Sequence, residues 1–319
     1  MATRIIAFII SILFTLLGIV IPPPAHYRTK ELFADGGFKN GFTVMSMHTQ
    51  NGQGVPLGNF TYNVLPVMPE WMIAQWGSKH CLWDERVESD VYTITDGKTK
   101  TVTYSPTDKS VSMRLNAANV YGGEPAGEGD WPHLLLEQSP LKVQPADSAF
   151  YSCAADKLML TLDIKLTDFK DTTNKGGINA AQYLAYFYIK GVDGPEFVWF
   201  GVNLFDSRGL QDTYWAVDTA GSNQMIYTIS TADTYGYGFR SLFRLGKPRV
   251  SSKWTRIRLN LSPHIQKMLE KANESNSFGR PVTAEDFAVG GTNIGFEIHG
   301  NYDCTVEIKN FQITSHLAL

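Results

Sequence analysis

Leu158-Met159-Leu160-Thr161-Leu162-Asp163-Ile164-Lys165-Leu166-Thr167 is the stretch that decides the fold class. Its leucines and Ile164 share one parity. Met159, Thr161, Asp163, Lys165 and Thr167 share the other. Successive side chains of a strand point to opposite faces, so this stretch reads as a strand with one face on a core and the other outside it. Residues 294–299 repeat the pattern, with Ile294, Phe296 and Ile298 against Gly295, Glu297 and His299. Residues 253–261 do the same, with Thr255, Ile257, Leu259 and Leu261 against Trp254, Arg256, Arg258 and Asn260.

Working outward, further strands are expected at residues 110–120, 133–138, 182–190, 197–205, 225–230 and 305–314. Asp96-Gly97 suits the tight turn of a hairpin over residues 91–104. Residues 36–70 carry many Gly, Asn and Pro and read as short strands and loops. Residues 121–130 read as a surface loop. One helix is expected over residues 264–273, with Ile265, Met268 and Leu269 at helical spacing, Ser262 as its cap and Pro263 at its first position. No internal repeat and no long linker appear. A row of short strands with one connecting helix predicts a mainly β protein, an antiparallel two-sheet β-sandwich of jelly-roll type. Leu160, Leu162, Ile257, Leu259, Phe296 and Ile298 are expected in one core. Residues 26–319 are expected to form one large domain, with a sub-boundary near residue 145 as the alternative.

The N-terminus bounds the compartment. Arg4 precedes an uncharged apolar run over residues 5–21, followed by Pro22-Pro23-Pro24. Such a run is an export signal, either cleaved as a signal peptide within residues 1–25 or retained as an anchor at the short end of the roughly 20 residues a spanning helix needs. Both readings place the rest of the chain in a secreted, periplasmic or cell-surface location, with membrane contact only through this segment. The 28 Lys and Arg against 31 Asp and Glu give a net charge of −3, and no basic cluster stands out, which excludes a nucleic-acid partner. Charged residues are 18% and aromatics 12% of the chain, a composition foreign to disorder. Cys81, Cys153 and Cys304 allow one disulfide in an oxidising compartment, and the pairing stays open.

No nucleophile elbow, zinc-protease helix, phosphate loop or dinucleotide fingerprint is present. Metal-ligand spacing is lacking, and no cofactor is expected. Asp168 with Asp171, or Asn301 with Asp303, offer oxygens of the kind a structural calcium takes, and turn formation explains them as well. What remains is the phase opposite the core. It collects Arg114, Asn116, Asp163, Lys165, Arg256, Arg258, Glu297 and His299. Tyr186 and Tyr188 share a phase, as do Trp199 and Asn203. Flat rings beside fixed polar groups suit a sugar, whose apolar faces stack while its hydroxyls take directed hydrogen bonds. The plainer alternative is a solvated face of cross-strand ion pairs. Trp131-Pro132-His133 forms a second candidate, with His133 and Glu137 on one face of their strand.

Residues 292–314 resemble the closing strands of secreted jelly-roll carbohydrate-binding and carbohydrate-active proteins. Glu297-Ile298-His299 is similar to the Gln-Ile-His of the jelly-roll alginate lyases, in which the His acts near a uronate. Glu stands here for Gln, and the lyases' closing Tyr-Phe-Lys motif has only a loose echo at Tyr186-Phe187-Tyr188-Ile189-Lys190. The expectation is an exported protein that recognises a polysaccharide on a concave sheet face through Arg114, Trp131, His133, Glu137, Tyr186, Trp199, Asn203, Arg256, Glu297 and His299. The alternative is a polysaccharide lyase acting on a uronate-containing glycan. The resemblance and the needs of that chemistry would assign it His299 as base, Tyr186 or Tyr188 as acid and Arg256 or Arg258 as the neutralising cation.

Overall fold

The structure is a computed structural model. It describes residues 26–50, 53–62, 67–127, 129, 131–173, 179–219, 222–230 and 242–319. The apolar run at residues 5–21 lies outside the described residues. Strands β1 (Tyr27–Glu31), β2 (Phe42–Gln50), β3 (Gln53–Phe60), β4 (Trp71–Ala74), β5 (Thr93–Thr95), β6 (Lys100–Ser105), β7 (Ser110–Asn116) and β8 (His133–Gln138) come first. They are followed by β9 (Lys157–Asp171), β10 (Ala180–Gly191), β11 (Phe197–Asp206), β12 (Tyr214–Val217), β13 (Met225–Ile229), β14 (Phe243–Arg244), β15 (Lys247–Pro248), β16 (Thr255–Asn260), β17 (Phe287–His299) and β18 (Tyr302–Ala318).

Two large sheets result. The seven-stranded sheet runs β16-β9-β18-β7-β6-β5, with β1 also paired to β18. The nine-stranded sheet runs β12-β13-β11-β10-β17-β8-β4-β2-β3. Pairing is antiparallel except between β11 and β13 and between β2 and β4, which are parallel. Strands from both halves of the chain interleave in each sheet: β18 lies between β9 and β7, and β17 between β10 and β8.

The alternating strands behave as their pattern demands. Leu160, Leu162, Ile257, Leu259, Phe296 and Ile298 belong to one hydrophobic cluster between the sheets. Each such side chain contributes about 1.5–3 kcal/mol when fully removed from water. On β10 the inward residues Ala181, Tyr183, Ala185, Phe187 and Ile189 join the same cluster.

Local departures from expectation have local causes. The strand expected to reach residue 120 stops at Asn116, whose side chain accepts from the Asn119 amide at 3.0 Å and opens the short helix α1 (Ala117–Tyr121). Gly122, at φ 69°, ends it. A second short helix, α2 (Ser148–Tyr151), precedes β9. The long helix α3 covers Ser262–Glu274, so Ser262 is its first residue rather than its cap. Its hydroxyl accepts instead from the Leu158 amide at 3.0 Å, tying the helix to the start of β9. The turn at Asp96 is wider than a two-residue hairpin, because one Asp96 oxygen accepts from the amides of Lys98, Thr99 and Lys100.

Cys81, Cys153 and Cys304 are all buried and unpaired. Among the described residues no helix is long and apolar enough to cross a membrane, and no group of three or more His, Cys, Asp or Glu could hold a metal ion. Asp303 is engaged by Arg114, and Asp171 accepts from the Thr173 amide at 2.9 Å.

Candidate functional site

The outer face of the nine-stranded sheet gathers most of the chemistry. Its register lays side chains out in rows that cross the strands. One row contains His133 on β8, Glu297 on β17, Gln182 on β10 and Asp206 on β11. The next contains Leu135, Gly295, Leu184 and Asn203. A third contains Met72 on β4, Glu137, Asn293, Tyr186 and Gly201, and continues to Thr228 and Tyr214. The fourth contains Gly291, Tyr188 and Trp199.

The aromatic rings form a wall because their neighbours are glycines. A Cβ on Gly201 would lie 2.5 Å from the Tyr186 ring, and one on Gly291 would lie 2.5 Å from the Tyr188 ring. Both tyrosines can therefore lie down against the sheet. The half-exposed Trp199 ring meets Tyr188 edge-on at 4.7 Å and Phe197 at 4.9 Å, and its indole donates to Ser222 at 2.7 Å. Burial holds the Tyr186 and Tyr188 hydroxyls well above the usual phenol range.

Two carboxyl groups stand beside this wall. Burial raises Glu137, opposed by a hydrogen bond from Tyr188 and by the charge of Lys190. Burial also raises Glu297, whose side chain is 22% exposed. The charge of His133 opposes that rise and Asp218 adds to it. His133 turns Nε2 toward Glu297 Oε1 at 3.8 Å.

Several polar atoms on this face go unanswered. Six buried side-chain polar atoms among the described residues lack a hydrogen-bond partner, and three of them are His133 Nδ1, Asn203 Oδ1 and Asn293 Oδ1. Such atoms are rare in folded proteins and call for an explanation. Toward the β2–β3 side the third row continues through Met72 to Thr43, which line a cavity of about 860 Å³ together with Met45 and Asn59.

No protein-family model and no curated protein matches the chain. Solved structures do resemble it. A family 12 xyloglucanase from Bacillus licheniformis superposes with a TM-score of 0.38 at 10% identity, over 68% of this chain and 85% of its own. An endoglucanase from Rhodothermus marinus gives 0.37 at 10% identity, over 69% and 87%. A family 11 xylanase from Neocallimastix patriciarum gives 0.30 at 12% identity, over 69% and 83%. At these values the likeness extends to the β-sandwich layout alone.

The structure sorts the residues expected to act together. His133, Glu137, Tyr186, Tyr188, Trp199, Asn203 and Glu297 share the outer face of the nine-stranded sheet. Arg114, Arg256 and Arg258 do not. They sit on β7 and β16 in the other sheet, where Arg256 grips Asp163 with two bonds of 2.7 Å and Arg114 grips Asp303 at 2.9 and 2.7 Å. Period-two phase distinguishes inside from outside but not one sheet from the other. His299 follows Glu297 in phase yet is buried under the loop after α1, with Nε2 3.0 Å from the Gly127 carbonyl and its ring 5.1 Å from Trp131. The base, acid and cation expected of a lyase are thus not brought together. Asn293 was missed, although it shares the phase of Glu297 four residues away. Thr43 was missed because bulges in β2 break its alternation, and Met72 lies on a strand of four residues, too short to show one.

Proposed function

We propose that this protein is an exported carbohydrate-binding β-sandwich that holds a polysaccharide on the outer face of its nine-stranded sheet. One observation carries the reading: three buried, unanswered polar atoms lie on the same face as the part-exposed Trp199 ring, the buried tyrosines beside it and two raised carboxyls. Leaving a buried acceptor unmet costs about 1–3 kcal/mol each, which ligand hydroxyls would recover. Rings such as Trp199 supply the flat area that a sugar's apolar face covers.

Glu137 is paired with Asn293, four residues from Glu297 on the neighbouring strand, so the two backbones are about 13 Å apart along the strands. Export is supported by the apolar run at residues 5–21.

A glycan array probed with the full chain tests the binding reading. Retention on at least one polysaccharide, with no release of shorter products, is the expected outcome, and an empty array overturns it. Mass spectrometry of the native protein tests export. A mature N-terminus near residue 26, or an intact chain in the membrane fraction, supports it, and full-length protein in the soluble cytoplasm refutes it.

A further inference from the structure

We propose that the glycan is uncharged and meets this face by donating its hydroxyl hydrogens. The inference rests on the binding reading above and names the ligand class for the same site.

The argument is a balance of donors and acceptors. The Asn203 amide nitrogen donates to Asp206 at 3.4 Å, and that of Asn293 donates to the Tyr188 hydroxyl at 3.2 Å. Each amide is therefore oriented, and the unmet end is a carbonyl oxygen, which can only accept. His133 stands with Nε2 3.8 Å from Glu297 Oε1, beyond hydrogen-bond reach, so its ring nitrogens enter this balance on neither side. Glu137 and Glu297 are carboxyl groups on the same face. Both oriented amides ask for a hydrogen.

The guanidiniums of these strands are already committed. Arg208 binds Asp206 through Nε at 2.9 Å and Nη2 at 2.7 Å. Arg114 and Arg256 serve Asp303 and Asp163 on the other sheet. Among the described residues this face therefore offers a uronate carboxylate no uncommitted guanidinium. It offers two carboxyls and two amide oxygens instead. A neutral polyol has the opposite character, many donors and no charge to desolvate.

Calorimetric titration of the full chain provides the test, with hexasaccharides of glucose, xylose and mannose set against hexamannuronate, hexagalacturonate and hexaglucosamine. At least one neutral hexamer should bind, and the uronates should bind at least about tenfold more weakly, because like charges are juxtaposed. Raising ionic strength from about 0.05 to 0.5 M should leave neutral binding unchanged, since no charge on the ligand is screened. Replacing Glu297→Gln should narrow the gap between neutral and uronate ligands. Uronate binding equal to or tighter than neutral binding overturns the inference while sparing the binding reading. Preferential binding of the cationic glucosamine hexamer also overturns it. Failure of every glycan removes the binding reading and this inference together.

Discussion

The outer faces of the two sheets are built from the same kinds of residue and have opposite characters. On the seven-stranded sheet a series of long polar side chains find partners on the next strand. Arg114 takes Asp303, Arg256 and Asn310 share Asp163, Lys165 pairs with Glu307 at 2.8 Å, and Thr93 and Thr95 bond Thr103 and Thr101. Arg256 and Asn310 hold the Asp163 carboxyl below its usual range. On the nine-stranded sheet the Glu137 and Glu297 carboxyls are pushed up, and the amide oxygens of Asn203 and Asn293 wait without partners. Charge and aromaticity alone do not mark a binding face. A saturated network marks a solvated wall, and an unfinished one marks a place for something else.

Four measurements break or sharpen this contrast. The largest effect on stability is expected at Arg114→Ala. It strips Asp303 of a two-bond partner and should lower unfolding free energy in denaturant by about 1.5–3 kcal/mol, the worth of hydrogen bonds to a charged group. Glycan affinity should not move, and a matching loss of binding would show that the two faces are not independent. Trp199→Ala should do the reverse, weakening binding by about 1–3 kcal/mol with the unfolding midpoint nearly unchanged. If the variant unfolds instead, the ring belongs to the core and the wall is misread.

Asn203→Leu should separate the faces by sign. Removing an acceptor that the free protein never satisfies should raise stability by about 1 kcal/mol while weakening the complex. A drop in stability would mean that the Asn203 bond to Asp206 outweighs the orphaned oxygen.

The smallest effect is a difference in pH slope. Glu137 and Glu297 have folded values above the ordinary 4.5, so the native state binds their protons first. Their contribution to stability should therefore rise as pH falls from above those values toward 4.5, and level off below it. Asp163 sits below its ordinary 3.8, so its contribution should be present above that value and fall away in stronger acid. Denaturant midpoints across pH should show the first slope flattened by Glu297→Gln and the second removed by Asp163→Asn. Unchanged slopes in either variant would count against that group as the cause.

The sandwich was legible wherever one face of a strand is core and the other is not, as on β9, β16 and β17. It was illegible in β2 to β4, where bulges at Val44, Met45 and Thr49 interrupt the alternation. Half of the candidate site could be read because Glu137, Glu297, Trp199 and Asn203 keep the phase opposite the apolar residues. The arginines keep that same phase too, and nothing in a strand's own pattern states which of two sheets will take it. His299 shows a further limit. Parity put it outside, and a loop distant in sequence then covered it. Asn293 was within reach of the same counting that found Glu297, but an Asn between Thr and Ile carries no charge or ring to attract notice.

The buried thiols have a practical corollary. Enclosure pushes Cys153 up to about 12 and holds Cys304 well above the usual thiol range, and Cys81 is shielded from solvent as well. A maleimide offered to the native protein should find almost nothing to alkylate. The modification that does accumulate will time the moments at which the sandwich parts: at the loop before β5 through Cys81, beyond α2 through Cys153, and at the middle of the sheet through Cys304. The chain thus carries three clocks of its own breathing, and a cysteine placed on the surface could take a fluorophore without interference from them.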